Sequence, residues 1–266
     1  MIYESIILEK ENGVAVVTLN KPERRNAWSY QMRDEVTHAL KDITGDNDIR
    51  VLIITGAGNS FCSGADVTNL IAVGVEKNDI DFLPLENNVV WIAAQLRNMK
   101  IPVIAAVNGH ALGLGFALAL AADIRIASEN AVFAMTFIKR GIAPDTGITY
   151  FLPRLVGTAR ACELAFTGDS MTAGEADRIG LVNKVVPLEQ LEETTLDWCR
   201  KMLEKSPIAL RMLKAAFNAE LDGQAGIQQL AGDATLLYYL SDEAKEGKEA
   251  FIEKRKPDFS KFPKFP

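Results

Sequence analysis

The sequence predicts an α/β core followed by a helical C-terminal subdomain. Three observations carry that reading. Two alternating apolar runs flank Asn12-Gly13, a strong short hairpin signal. Two β-branched runs, VLIIT (51–55) and IPVIAAV (101–107), each lead into a glycine-rich turn, as buried strands feeding helices do. Beyond Leu188 the chain reads as three or four amphipathic helices, up to Lys254, with breaks at Pro207 and Gly223.

Taken in order, Ile2–Leu8 and Val14–Leu19 are the arms of the hairpin. The polar loop KPERRNAW leads to Ser29, a helix cap. Met32, Val36, Ala39, Leu40 and Ile43 then recur at helical spacing, and Gly45 closes that helix. Val51–Thr55 is a buried strand that opens into GAGNSFCSGAD. Residues Asn69 to Pro84 read as a surface excursion near a ligand, and Leu85–Met99 as a helix. Ile101–Val107 is a second buried strand, followed by the loop GHALGLG and the uncharged helix FALALAA. DIRIA and AVFAM are short strand-like runs. Helices are expected over Gly147–Leu155, Ala159–Thr167 and Ala173–Gly180, a strand at VNKVV before Pro187, and no helix in the proline-rich tail PDFSKFPKFP. The division that follows is a core over 1–195 and a C-terminal helical region over 196–266.

Composition excludes several classes of function. Nearly half of the 266 residues are apolar, so a sizeable core is expected and disorder is not. A formal charge of -6 argues against a broad nucleic-acid surface, which needs a basic excess. Cys62, Cys162 and Cys199 are odd in number and far apart, with no CxxC pair, which suggests a reducing, cytoplasmic compartment and no metal site. The first residues already alternate like a strand, unlike a secretory signal. Ile101 to Ala122 carries no charge, but Pro102, Asn108-Gly109 and His110 interrupt it. That leaves about a dozen continuous residues, short of the ~20 that a membrane span needs.

The chemistry points to two glycine-rich turns and one acid. A dinucleotide fingerprint fails because Leu118 stands where its third glycine belongs, and neither a phosphate loop nor a GxSxG elbow occurs. FCSGAD and HALGLG each follow a buried strand, and the helix beginning near Gly113 to Gly115 has free N–H groups that favour negative charge. Two backbone donors from separate loops would make an oxyanion hole. Glycine also permits plain close packing, and the residues alone leave both readings open. Asp145, just after a proline, taken alone reads as a helix cap; beside an anion-stabilising helix end it would suit proton transfer on a carbonyl compound.

Taken together, LNKPERRNAW, VLIITGAGNSFCSGAD, IPVIAAVNGHALGLG, GIAPDTGITYFLPRLVG, FTGDSMTAGEADRIGLVNKVV and EAFIEKRKPDF resemble the crotonase (enoyl-CoA hydratase/isomerase) superfamily over almost the whole chain. The resemblance implies a spiral of ββα-type units and a C-terminal helical trimerisation region, giving homotrimers or dimers of trimers. It also implies an acyl-coenzyme A substrate, with no prosthetic group. Carried over by position, it places the oxyanion donors at the backbone N–H groups of Ala65 and Leu114, beside Gly113. It assigns coenzyme A to Arg24, Asn26, Ala27, Ser63, Ala65, Asp66, Val67 and Gly113, with Lys254 reaching the phosphates. The two glutamates of the hydratases fall at Ala117 and Phe137, which cannot move a proton. Asp145 instead matches the aspartate of dienoyl-CoA isomerases and of the ring-opening isomerase of phenylacetate degradation, to which FAMTFIKRGIAPDTG is most similar. The expectation is an isomerase that shifts a C=C bond next to the thioester. Its rivals are a hydratase of cyclic or dienoyl substrates, an aspartate-nucleophile hydrolase or dehalogenase, and a non-catalytic acyl-CoA-binding protein.

Overall fold

In the computed structural model, the described residues are 2–66, 91–140, 144, 146–219 and 241–263. Strands β1 (Ile6–Glu11) and β2 (Val14–Leu19) form the expected antiparallel hairpin, with Asn12 and Gly13 both at positive φ (49° and 81°) as a tight turn requires. The first strand starts later than the sequence suggests. The amides of Glu4 and Ser5 are occupied by the Glu35 carboxylate, so they are not free to enter the ladder.

The helix α1 (Tyr30–Gly45) starts under its expected cap, Ser29, whose Oγ accepts from Met32 N at 3.1 Å. Next come β3 (Val51–Gly56), β4 (Ser60–Cys62), α2 (Trp91–Arg97), β5 (Val103–Val107), β6 (His110–Leu112), α3 (Leu114–Ala121), β7 (Ile124–Ser128) and β8 (Val132–Ala134). The large sheet takes the order β1-β2-β3-β5-β7 and ends on β10 (Lys184–Val186); beyond the hairpin its pairings are parallel. The second sheet takes β4, β6 and β8 and ends on β9 (Met171–Thr172). Each of β3, β5 and β7 therefore lies in one sheet, and the short strand that follows it lies in the other. That alternation is the repeating unit of a spiral, and it appears where the sequence showed only glycine turns after FC and NG.

The core follows from strand alternation. Ala15, Val17, Leu19, Leu52, Ile54 and Val103 face inward onto α1, α3 and the second sheet. Val14, Val51, Ile53, Ile104, Ala106 and Ile126 face the other way and are covered by Leu191 and Cys199 of α7 (Leu191–Leu203). Both faces are buried, which is why VLIIT and VIAAV read as continuous apolar runs rather than alternating ones. All eight residues of α3 are buried, so its Ala/Leu composition reports enclosure by the two sheets, not a membrane. Among the described residues no helix is long and apolar enough to cross a membrane.

The helices α4 (Ile148–Val156), α5 (Thr158–Thr167) and α6 (Ala173–Arg178) lie where the periodicity placed them. The C-terminal helices α8 (Pro207–Asn218) and α9 (Asp242–Glu253) start under Ser206 and Ser241, whose hydroxyls accept from Ala209 N and Ala244 N. The expected break at Pro207 is thus a capped helix start. The one at Gly223 and the excursion at 69–84 lie outside the described residues.

Candidate active site

The site grows out of the ends of β4 and β6, which pair in parallel through Ser60↔His110 and Cys62↔Ala111, with a register irregularity between them. Three loops meet there. Trp28 N donates to Gly64 O (2.8 Å) and Asp66 N donates to Trp28 O (3.0 Å), so Trp28 and Ala65 form a one-residue parallel bridge. In such a bridge the middle residue turns its own N–H away from its partner, so the Ala65 N–H points to the side opposite Trp28. On the other side of this segment runs the start of α3. A Cβ on Gly64 (φ 102°) would stand 3.0 Å from Leu112 O and 3.9 Å from Leu114 N. Leu114 N is the first amide of α3, and neither it nor Ala65 N has an acceptor among the described residues.

Glycine is needed here for contact. A Cβ at Gly115 would lie 2.1 Å from Cys62 O, so only glycine lets α3 begin directly against β4. Gly113, at φ 52°, turns the chain into the helix while its own N–H donates to Ala134 O. Two free amides and the positive end of a buried helix therefore face one region, which favours an anion there.

The KPERRNAW loop is wrapped onto this arrangement. Arg25 and Asn26 both take left-handed backbone (φ 53° and 54°). Buried Asn26 donates through Nδ2 to Ala57 O and Ser60 O and accepts at Oδ1 from Lys21 N. Ser63 N donates to Arg25 O, and exposed Arg24 pairs through Nη1 with buried Asp66 at 2.9 Å. The structure thus brings together Arg24, Asn26, Ala27, Ser63, Ala65 and Asp66, with Gly113 and Leu114 alongside. Lys254 is the exposed, left-handed C-cap of α9, and its N–H donates to Phe251 O within that helix. Asp145 and Val67 lie outside the described residues; next to Asp145, Pro144 is exposed and Thr146 buried.

Ala117 is fully buried on α3, and the Phe137 ring ends 3.9 Å from where a Gly113 Cβ would be. Neither side chain carries a proton. Burial pushes the Cys62 thiol up to about 12, against a hydrogen bond from the Gly64 backbone, so Cys62 is a core residue and no nucleophile. Among the described residues no group of acids, histidines and cysteines is placed to hold a metal. One structural residue escaped the sequence reading. Asn108, legible there only as half of a turn signal, donates to the carbonyls of Gly56, Gly58 and Ser60 and ties β5 to the loop before β4.

The model of the enoyl-CoA hydratase/isomerase family matches residues 9–262. The chain belongs to the enoyl-CoA hydratase/isomerase family, within the crotonase superfamily. Solved structures agree. An enoyl-CoA hydratase subunit I from Geobacillus kaustophilus is 36% identical, with a TM-score of 0.89 over 97% of this chain and 98% of that one. An enoyl-CoA hydratase from Bacillus anthracis is 34% identical, with a TM-score of 0.88 over 97% and 99%. One from Polaromonas sp. JS666 is 32% identical, with a TM-score of 0.88 over 95% and 98%. The crotonase relationship makes the protein an enzyme of coenzyme A thioesters, and the family works on them without a prosthetic group.

Proposed function

We propose that this crotonase is an acyl-CoA isomerase that shifts a carbon–carbon double bond, or rearranges a ring, next to the thioester. The observation that carries the reading is the pair of unclaimed amides, Ala65 N and Leu114 N, on adjoining loops at the start of a buried helix. Bound to the thioester oxygen, they would stabilise the enolate left when the α-proton is removed. One such donor is typically worth about 10²–10³ in rate. Arg24, Asn26, Ala27, Ser63, Ala65, Asp66, Val67 and Gly113 would hold the coenzyme, with Lys254 meeting the phosphates.

Asp145 would act first as base and then as acid, taking a proton from one carbon and returning it to another. By position Ala117 and Phe137 would stand where hydratases of the family carry glutamates, and neither side chain can activate water. Their apolar surfaces, with that of Leu114, would also exclude solvent and favour the neutral acid. The string FAMTFIKRGIAPDTG around Asp145 resembles that of the ring-opening isomerase of phenylacetate degradation, which favours the same chemistry here. Region 196–266 would carry the contacts of a homotrimer or of a dimer of trimers.

A panel of enoyl-CoA esters in deuterated water tests the reading. Isomerisation leaves product mass unchanged apart from exchanged hydrogen, whereas hydration adds one water. Asp145→Asn is expected to abolish α-proton exchange on a bound enoyl-CoA; retained exchange would remove Asp145 from the mechanism.

A further inference from the structure

The side chain of Asn26 is engaged wholly inside the protein. The residue is completely buried; its Nδ2 donates to Ala57 O (2.9 Å) and Ser60 O (2.7 Å), and its Oδ1 accepts from Lys21 N. Its part in holding the coenzyme is therefore to shape the loop. We infer that Asn26 is also a positioning residue for the oxyanion pair: by holding Ser60 O it fixes where the Ala65 amide stands relative to that of Leu114. This rests on the amide pair proposed above as the seat of the enolate charge.

The register of the hydrogen bonds links Asn26 to Ala65. Beyond the contact with Ser60 O, the two segments stay in step: Ser63 N donates to Arg25 O (3.0 Å), Trp28 N to Gly64 O (2.8 Å) and Asp66 N to Trp28 O (3.0 Å). Residues 25–28 thus lie as a splint along 60–66, and Asn26 pins the end of it upstream of Ala65. A second asparagine takes the same oxygen from the other side. Asn108 Nδ2 lies 3.3 Å from Ser60 O and 2.8 Å from both Gly56 O and Gly58 O. A carbonyl oxygen has two lone pairs and can accept from both. From Asn108 the chain runs through β6 directly to Leu114. Ser60 O is therefore where the segments bearing the two amides are joined, and Asn26 makes the shorter of its two side-chain bonds.

The backbone gives independent support. Arg25 and Asn26 are consecutive left-handed residues, and neither is glycine. Such conformations persist only where the surrounding contacts over-determine them, and they cluster at functional sites. The turn that Asn26 holds is equally tight. A Cβ on Gly56 would stand 2.8 Å from Asn26 Nδ2, so glycine there is what admits the carboxamide. Misplacing a catalytic group by about 1 Å can cost about 10² in rate, so a splint that sets the Ala65 amide bears on turnover as well as on folding.

Two variants of the full-length protein test this. Asn26→Asp keeps the size and the left-handed tolerance of the residue but, ionised, donates to neither carbonyl; Asn26→Gly keeps the backbone and removes the side chain. Parent and variants are each saturated with butyryl-CoA labelled with heavy carbon at its carbonyl, which has no double bond to shift. The carbonyl stretch is then read by isotope-edited infrared spectroscopy. Two hydrogen-bond donors lower that frequency, so binding to the parent is expected to shift it down, and binding to either variant to shift it less. Exchange of the α-proton should fall about a hundredfold. Affinity for free coenzyme A, which has no thioester oxygen, should stay within about twofold, the split that marks a contact made only in the transition state. A bound parent without the shift overturns the amide pair and this inference with it. A parent that shifts beside a folded variant that keeps the shift in full overturns this inference alone. So does a loss of coenzyme A affinity in step with the shift, or a failure of both variants to fold, since either makes Asn26 a scaffold of the whole loop.

Discussion

At the scale of single residues, the site depends on positions that tolerate no side chain. Gly115→Ala would push a methyl to 2.1 Å from Cys62 O, so either α3 or β4 must move. Overpacking of that kind costs about 1–3 kcal/mol. A shift of α3 also displaces the Leu114 amide, so turnover should fall further than stability does. A urea midpoint measured beside kcat checks this, and equal small effects on both would mean that the amide is not needed. The thiols give a second test. Burial pushes both Cys62 and Cys199 up to about 12, whereas Cys162 is half-buried. In the native protein at neutral pH, iodoacetamide is therefore expected to label Cys162 first, as read by peptide mass mapping; early labelling of Cys62 would contradict the packing around β4. At this scale the sequence was legible in part. FCSGAD and HALGLG could be read as two anion-facing turns, because glycines after buried strands are visible in a string. That Gly115 is required by Cys62 O, 53 residues upstream, could not, because a contact across two sheets leaves no local pattern.

At the scale of elements, the strands most easily read were the long apolar ones, β3 and β5, whose two buried faces produce unbroken runs. The strands β4, β6 and β9 escaped because two or three residues are too few to show alternation, and two of them sit inside glycine turns. The start of β1 was misplaced for another reason: a side chain outcompetes the ladder. The Glu35 carboxylate, 5% exposed on α1, accepts from Glu4 N, from Ser5 N (2.8 Å) and from Ser5 Oγ (2.7 Å). Burial is the largest single influence on its pKa and raises it, but the hydrogen bonds from Ser5, Glu4 and Gln31 together outweigh burial and hold the group below its ordinary value. A carboxylate depressed in the folded state adds stability that is present above its unfolded pKa and lost as pH falls through the folded one. Glu35→Gln is therefore expected to lower stability at neutral pH by about 1–3 kcal/mol, with the gap to the parent closing in acid. Denaturation midpoints across that pH range check it, and a gap that widens in acid would reverse the assigned sign.

At the scale of the whole molecule, the C-terminal region is tied to the core by charged groups that reach backbone carbonyls. Arg50, just before β3, donates to Lys205 O and Phe259 O, and Lys214 on α8 donates to Ile101 O (2.9 Å) and pairs with Asp123 (2.7 Å). These anchors fix which face of the C-terminal helices turns outward. On α8 that face shows Leu213 and Phe217, one turn apart, and on α9 it shows Phe251 and Ile252; all four are more than half exposed. Aromatic groups in open solvent at two anchored helices form the kind of apolar surface that marks an interface between chains. If the assembly proposed for this crotonase uses it, an aspartate at Phe217 and at Phe251 places two charges in a surface that must lose its water. Burying an unpaired charge is costly enough to prevent association outright. Sedimentation velocity of Phe217→Asp with Phe251→Asp should then show monomers where the parent sediments as trimers or hexamers. The far-ultraviolet dichroism should not change, because neither side chain packs into the core. An assembly that survives both charges would move the interface away from these helices, and with it the case for treating 196–266 as the region that joins the subunits.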